Sequence, residues 1–245
     1  TMDNQMIGKK HFKEMKMSNN QGHGFTWEDL IIQAITNMTK KELNEKMEGG
    51  HCHRVDIPNG TWGPNRIRVE TDITVKSCQK ETIYCSDIMN FIETLKRGVK
   101  LVLGRYEQYP LWKQFHTVME WDIKPLHFPK IVGTMDLKEL ESFVKYVKTI
   151  PHGRQAQLDN QVRWKEKRDD ILFNTNSKLT IDAKIDSKKQ RRTQCGLNIF
   201  DLCMVVEPKI FKDEYNGLQL PLKIKSTARQ FNVNPYIDNF NKFFV

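Results

Sequence analysis

Apolar positions recur along the chain with two different periods, and the switching between them predicts a mixed fold. Leu30, Ile31, Ala34, Ile35, Met38 and Leu43 fall at helical spacing. They predict one amphipathic helix that starts at Thr26, runs to about Met47 and is stopped by Glu48-Gly49-Gly50. Thr26 with Asp29 three positions on gives that helix a variant capping box. Residues 53–57 read as a strand and 58–65 as a turn-rich connection. Over 66–77 a longer strand is predicted, with Ile67, Val69, Thr71, Ile73 and Val75 alternating with Arg68, Glu70, Asp72, Thr74 and Lys76. Residues 86–97 predict a helix capped by Ser86 or Asp87. A buried strand follows from Val99, then a segment carrying Trp112 and Trp121. Asp136-Leu-Lys-Glu139 begins a further helix that ends near Thr149.

Beyond Pro151 the pattern changes. Residues 154–168 are polar and predict an exposed helix. The runs 169–175 and 178–186 are β-rich and separated by Asn176-Ser177, a hairpin signal, and 203–211 is a further strand candidate. The expected organisation is a polar lead-in over 1–24, a core over 25–150 and a β-rich basic region over 151–245, which can share one core with 25–150. Interspersed strands and helices make the fold class α/β in the broad sense, a mixed α+β arrangement.

Charge sharpens this division. The chain of 245 residues has a formal net charge of +9. Residues 151–245 carry 17 Lys/Arg against 11 Asp/Glu, a net +6, whereas 1–150 carry 22 against 19, a net +3. Such an excess favours a polyanionic partner. The five cysteines (Cys52, Cys78, Cys85, Cys195, Cys203) form no CxxC pair, which suits free thiols in a reducing compartment. No apolar run is long enough to span a bilayer. Lys9, Lys10 and Lys13 have no apolar stretch behind them, so the start does not read as a secretory signal. A cytoplasmic protein without membrane association is expected. The absence of a Gly-rich phosphate loop, nucleophile elbow or dinucleotide fingerprint leaves no organic cofactor to expect.

Two constellations carry chemistry. Between Lys184 and Cys195, five basic residues (Lys184, Lys188, Lys189, Arg191, Arg192) are interleaved with Ser187, Gln190 and Gln194. Arg and Lys can donate to guanine, Gln can pair with adenine, and all reach phosphates, so this segment is expected to bind nucleic acid. A solvated charged loop is the plainer reading of the same residues. The second constellation is Glu28, Asp56, Glu70 and Asp72 with Lys76: hard oxygen donors for Mg2+ beside a cation, as metal-dependent phosphodiester cleavage requires. The plainer alternative is a strand face turned to solvent. A rival set is Asp170, Asp182 and Lys184, an Asp followed by an acid-x-Lys strand. His51-Cys52-His53 lacks the paired spacing of a zinc site. For Trp62, Trp112, Trp121 and Trp164, burial in a core or interface is expected ahead of base stacking.

Three stretches, 24–30, 66–77 leading through 82–88, and 184–195, together resemble a type II restriction endonuclease of the PD-(D/E)xK superfamily. The resemblance covers about a quarter of the chain. It implies a central mixed sheet flanked by helices, with Glu28 as a metal-side carboxylate, Asp56 or Asp72 as the central Mg2+ ligand, and Lys76 as the catalytic lysine. Glu70 is a further carboxylate that can stand in spatially. The chain departs from the family pattern at Thr74, where an acid is expected two residues before the lysine. Further implications are a double-stranded DNA substrate and a homodimer matched to a palindromic target. The functions to separate are such an endonuclease, a non-catalytic DNA- or RNA-binding protein, and a basic structural protein.

Overall fold

The computed structural model describes residues 27–47, 55–63, 66, 68–109, 112–185, 191–211 and 218–221. The lead-in, Thr26, the 48–50 stop, His51-Cys52-His53, Ser187, Lys188, Lys189 and Gln190 lie outside the described residues. The fold is mixed α+β, with a mixed sheet flanked by helices.

Helix α1 (Trp27–Thr36) opens the described chain, and a second helix, α2 (Lys40–Lys46), follows it. The single helix expected to Met47 is therefore broken. Asn37 adopts a left-handed φ of 55°, and Thr39 starts a new helix through a complete capping box with Glu42. The side chain of Thr39 satisfies the Glu42 N–H while the Glu42 carboxylate accepts from the Thr39 N–H. That local satisfaction outcompetes continuation of the helical period.

The main sheet contains β1 (Ile73–Cys78), β3 (Val99–Gln108), β4 (Trp112–Ile123), β7 (Lys209–Phe211) and β8 (Leu218–Pro221) in the order β1-β3-β4-β7, with β8 also on β4. β1 and β3 run parallel, joined by β2 (Thr82–Asp87) and helix α3 (Ile88–Arg97); β3, β4, β7 and β8 pair antiparallel. Asp87 caps α3 by accepting from the N–H groups of Met89 and Asn90. β1 is shorter than the strand expected over 66–77, and Ile73, Thr74 and Val75 are all buried. Upstream, the chain instead turns back on itself, with isolated bridges from Ile57 to Ile73 and from Trp62 to Arg68.

A second sheet of three antiparallel strands has the order β2-β6-β5, with β5 spanning Leu179–Ile185 and β6 Arg191–Asn198. A short helix, α4 (Phe128–Val132), follows β4, and helix α5 (Leu137–Thr149) begins at the Asp136 cap as expected. Helix α6 (Arg154–Leu172) extends further than predicted and absorbs the apolar part of the 169–175 run, which is therefore helical and not a strand. Similarly, α7 (Ile199–Val205) takes Cys203-Met204-Val205, leaving only β7 of the strand expected over 203–211. Asn198 caps α7, an N-terminus signal that lies five residues ahead of the expected strand. The hairpin joins β5 to β6 and is not centred on Asn176-Ser177.

Two cores flank the main sheet. One lies under α1 and contains Trp27, Leu30, Ile31, Ile73, Val75, Val102, Phe115 and Val118. The other joins β3, β4, α3 and α5 to the second sheet and includes Ile150, Trp164, Ile171, Ile181 and Leu197, so it runs continuously across residue 150. Trp121 and Trp164 are buried in it, whereas Trp62, also expected to be buried, is 59% exposed. Among the described residues no helix is long and apolar enough to cross a membrane.

Candidate active site

Helix α1 is held on the main sheet by its first residue. Trp27 stacks on Phe115 with ring centroids 4.7 Å apart. Room for that stack comes from Gly104 of β3, where a Cβ would meet Phe115 Cε1 at 2.6 Å and Trp27 Cε2 at 2.7 Å. The next residue, Glu28, is thereby fixed near the outer edge of β1. Lys40, at the start of α2, reaches back to Glu28 at 2.6 Å, so the break between the two helices also delivers a cation to the carboxylate.

Asp56 approaches from the other side. Its N–H and that of Ile57 both donate to the Ile73 carbonyl. The Asp56 carboxylate is then aligned along β1. Oδ2 accepts from the Val75 N–H at 2.7 Å, the Thr74 hydroxyl at 3.0 Å and Lys76 Nζ at 3.1 Å. Lys76 Nζ also donates to the Val75 carbonyl at 2.9 Å. Thr74 thus acts as a donor to the aspartate. The Glu28 and Asp56 carboxyl groups lie close enough that each shifts the titration of the other.

Two acids at this separation cannot ionise independently. Burial pushes the Glu28 carboxyl up to about 7, and the adjoining Asp56 charge and hydrogen bond push the same way against the pull of Lys40. Burial also acts to raise Asp56. There the Lys76 charge and the hydrogen bonds from Glu28, Val75 and Lys76 prevail, and Asp56 is held well below the usual carboxylate range. For Lys76 burial favours the neutral amine, but the Asp56 and Glu28 charges outweigh it and raise its pKa, so it remains an ammonium. At neutral pH the group is one carboxylate, one carboxyl poised to ionise, and one cation. The ion pair of Asp56 and Lys76 retains 18–20% side-chain exposure, so the site communicates with solvent.

The other expected residues lie elsewhere. Asp72 accepts from the Asn59 N–H at 2.8 Å and from Arg97 at 3.2 Å, tying the 58–60 turn to the end of α3. Glu70 is exposed ahead of β1. In the rival set, Asp182 is paired with Arg168 of α6 at 3.5 Å, while Asp170 and Lys184 are exposed on α6 and β5. Arg191 is turned inward, with Nε donating to the Ile150 carbonyl at 2.6 Å and its terminal nitrogen to the Pro151 carbonyl, at the C-terminal end of α5. Arg192 and Gln194 are half-buried on β6. Lys40 and Thr74 are the site residues that the sequence did not single out. The only signal for Lys40 was the Thr39-x-x-Glu42 box beside it.

Mg2+ takes hard oxygen ligands. Glu28, Asp56 and the Val75 carbonyl supply such a donor set, and Lys76 Nζ already bonds the two oxygen groups contributed by Asp56 and Val75. The carboxylate pair fits a divalent cation on electrostatic grounds, since a cation would offset both the burial and the Asp56 charge that raise the Glu28 pKa. Among the described residues no group of three or more His, Cys, Asp or Glu side chains is arranged to hold a metal. Comparison with protein-family models, curated proteins and solved structures returns no match to this chain.

Proposed function

We propose that this chain is a Mg2+-dependent endonuclease that hydrolyses phosphodiester bonds within a short sequence of double-stranded DNA. The observation that carries the reading is the meeting of Glu28, Asp56 and Lys76 at the edge of β1, from three separate segments of chain. Supporting it are the order of elements, with a glutamate-bearing helix, an aspartate, a Thr-Val-Lys strand, a crossover helix and a parallel strand, as in the PD-(D/E)xK superfamily. Glu28 takes the place of the acid missing at Thr74. The basic excess in residues 151–245 suits the polyanionic substrate.

In this mechanism Glu28, Asp56 and the Val75 carbonyl would hold Mg2+, with Asp72 left to its structural pairing with Arg97. Bound there, the ion supplies Lewis-acid charge at the scissile phosphate and makes water a stronger nucleophile. Asp56 fixes Lys76, and the Lys76 ammonium orients the nucleophile and offsets the charge developing on the phosphate oxygens. A divalent cation held there would favour the ionised form of Glu28. A homodimer presents two such sites to the two strands of a palindrome.

The direct test is digestion of plasmid and phage DNA with Mg2+ or with EDTA. Discrete Mg2+-dependent fragments are expected. They should disappear with Lys76→Ala and Asp56→Asn, with DNA binding retained by the lysine variant. Intact DNA in every lane, with a retarded band on a native gel, would sink the catalytic reading and leave a DNA-binding protein.

A further inference from the structure

The second sheet has two unlike faces. Along β2, β6 and β5, Ile83, Cys85, Cys195, Leu197, Ile181 and Ile185 are buried in the core that spans residue 150. The alternate positions face outward and are open. Tyr84 is 55% exposed, Thr180 and Lys184 are exposed, and Arg192 and Gln194 are half-buried. The register sets these side chains in rows across the strands: Lys184 opposite Arg192, Asp182 opposite Gln194, and Tyr84 and Thr180 on either side of Gly196. A Cβ at Gly196 would meet Thr180 Oγ1 at 2.6 Å and Thr82 Cγ2 at 2.9 Å, so glycine lets the two outer strands close over the middle one and keeps the face even. Two acids flank Gln194 in these rows: Asp87 of β2, whose carboxylate is engaged as the cap of α3, and Asp182, which is met by Arg168, itself also paired with Asp169.

We propose that this outer face is the surface on which the DNA lies, with Arg192 and Gln194 of the middle strand reading base edges and Lys184 and Tyr84 bracketing them. The assignment rests on the nuclease reading and narrows it to a particular set of side chains. Three strands about 4.8 Å apart form a platform roughly 10 Å across, which enters a major groove about 12 Å wide. Arginine suits guanine, and glutamine suits adenine. Strand periodicity makes the assignment sharp. Arg191 and Thr193, the residues either side of Arg192, point to the interior, so a contiguous basic segment resolves into every second residue.

The test uses Lys76→Ala protein, to hold DNA without cutting it, and a random-sequence duplex pool from which bound molecules are recovered and sequenced. A motif is expected. Adding Arg192→Ala or Gln194→Ala should erase preference at one base pair each and weaken binding to the selected sequence by roughly 10–100-fold. Binding to unselected duplex should be unchanged. Tyr84→Ala and Lys184→Ala should weaken binding on all sequences. Arg192 Nε is buried, so if Arg192→Ala lowers the melting temperature, Gln194→Ala and Tyr84→Ala carry the test. Selection of the same motif with the same affinity by these variants overturns the face assignment while leaving the nuclease reading intact. A motif without any plasmid cleavage keeps the face and discards the catalytic reading. No motif and no cleavage removes both.

Discussion

The Thr74 hydroxyl donates to Asp56 Oδ2 from a position that is almost fully buried. Thr74→Val keeps the shape of the side chain and removes the donor to an ionised acceptor. The expected loss is about 1–2 kcal/mol of stability, read by chemical denaturation. Glu28 gives a second, pH-dependent prediction. Its folded-state pKa lies near 7, above the ordinary 4.5, so the folded chain holds that proton more tightly than the unfolded chain does. Stability from this group is therefore present at low pH and declines as pH rises from about 4.5 through about 7. Asp56 works in the opposite direction, losing its contribution only as pH falls below the ordinary 3.8 toward its lower folded value. The melting temperature without metal should fall between pH 5 and pH 8. Mg2+ should raise it at pH 8 and have little effect at pH 5. Glu28→Gln should flatten both trends, and a slope unchanged by that substitution would remove Glu28 from the site.

At the scale of elements, the site depends on how α1 is seated. Gly104→Ala forces a methyl into the Trp27–Phe115 stack, an overpacking that should cost about 1–3 kcal/mol, and it should lower Mg2+ affinity by displacing Glu28. Loss of stability with full Mg2+ affinity would show that α1 can shift without moving the carboxylate. Period and caps together made β3, α3 and α5 legible in the sequence, because in each case the apolar pattern and the end signal agree. At Thr39 and Asn198 the cap prevails, and reading by period alone ran helix α1 too far and gave Cys203-Met204-Val205, the end of α7, to a strand. The partnership of Glu28, Asp56 and Lys76 was legible as a set of candidates, but the choice of Asp56 over Asp72 was not. That choice follows from the 55–57 segment pairing with the edge of β1, while Arg97 of α3 claims Asp72. The basic segment was legible as composition. The inward turn of Arg191 was not, because it depends on carbonyls at the end of α5, 41 residues away from Arg191 in the case of Ile150. Arg191→Ala should accordingly lower the melting temperature, whereas Gln194→Ala should leave it unchanged.

At the scale of the whole molecule, the proposed function together with a net charge of +9 predicts that DNA affinity falls steeply with salt, linearly in the logarithm of both quantities. Titrations across a salt series would give the number of phosphates engaged, and an affinity indifferent to salt would exclude backbone contacts. The continuous core across residue 150 predicts one cooperative unfolding transition, with the fluorescence of buried Trp121 and Trp164 changing in step with far-ultraviolet circular dichroism. Two separated transitions would mean that the parts fold independently. A common interior also limits how such a protein can acquire a new target. β6 presents Arg192 and Gln194 outward and buries Cys195 and Leu197 inward, so transplanting the strand from another protein would disturb the packing that holds the rest of the chain together. On the proposed function, new specificities should arise by exchange of individual outward residues, one base preference at a time, and engineering that grafts whole segments should produce insoluble protein far more often than altered cutting.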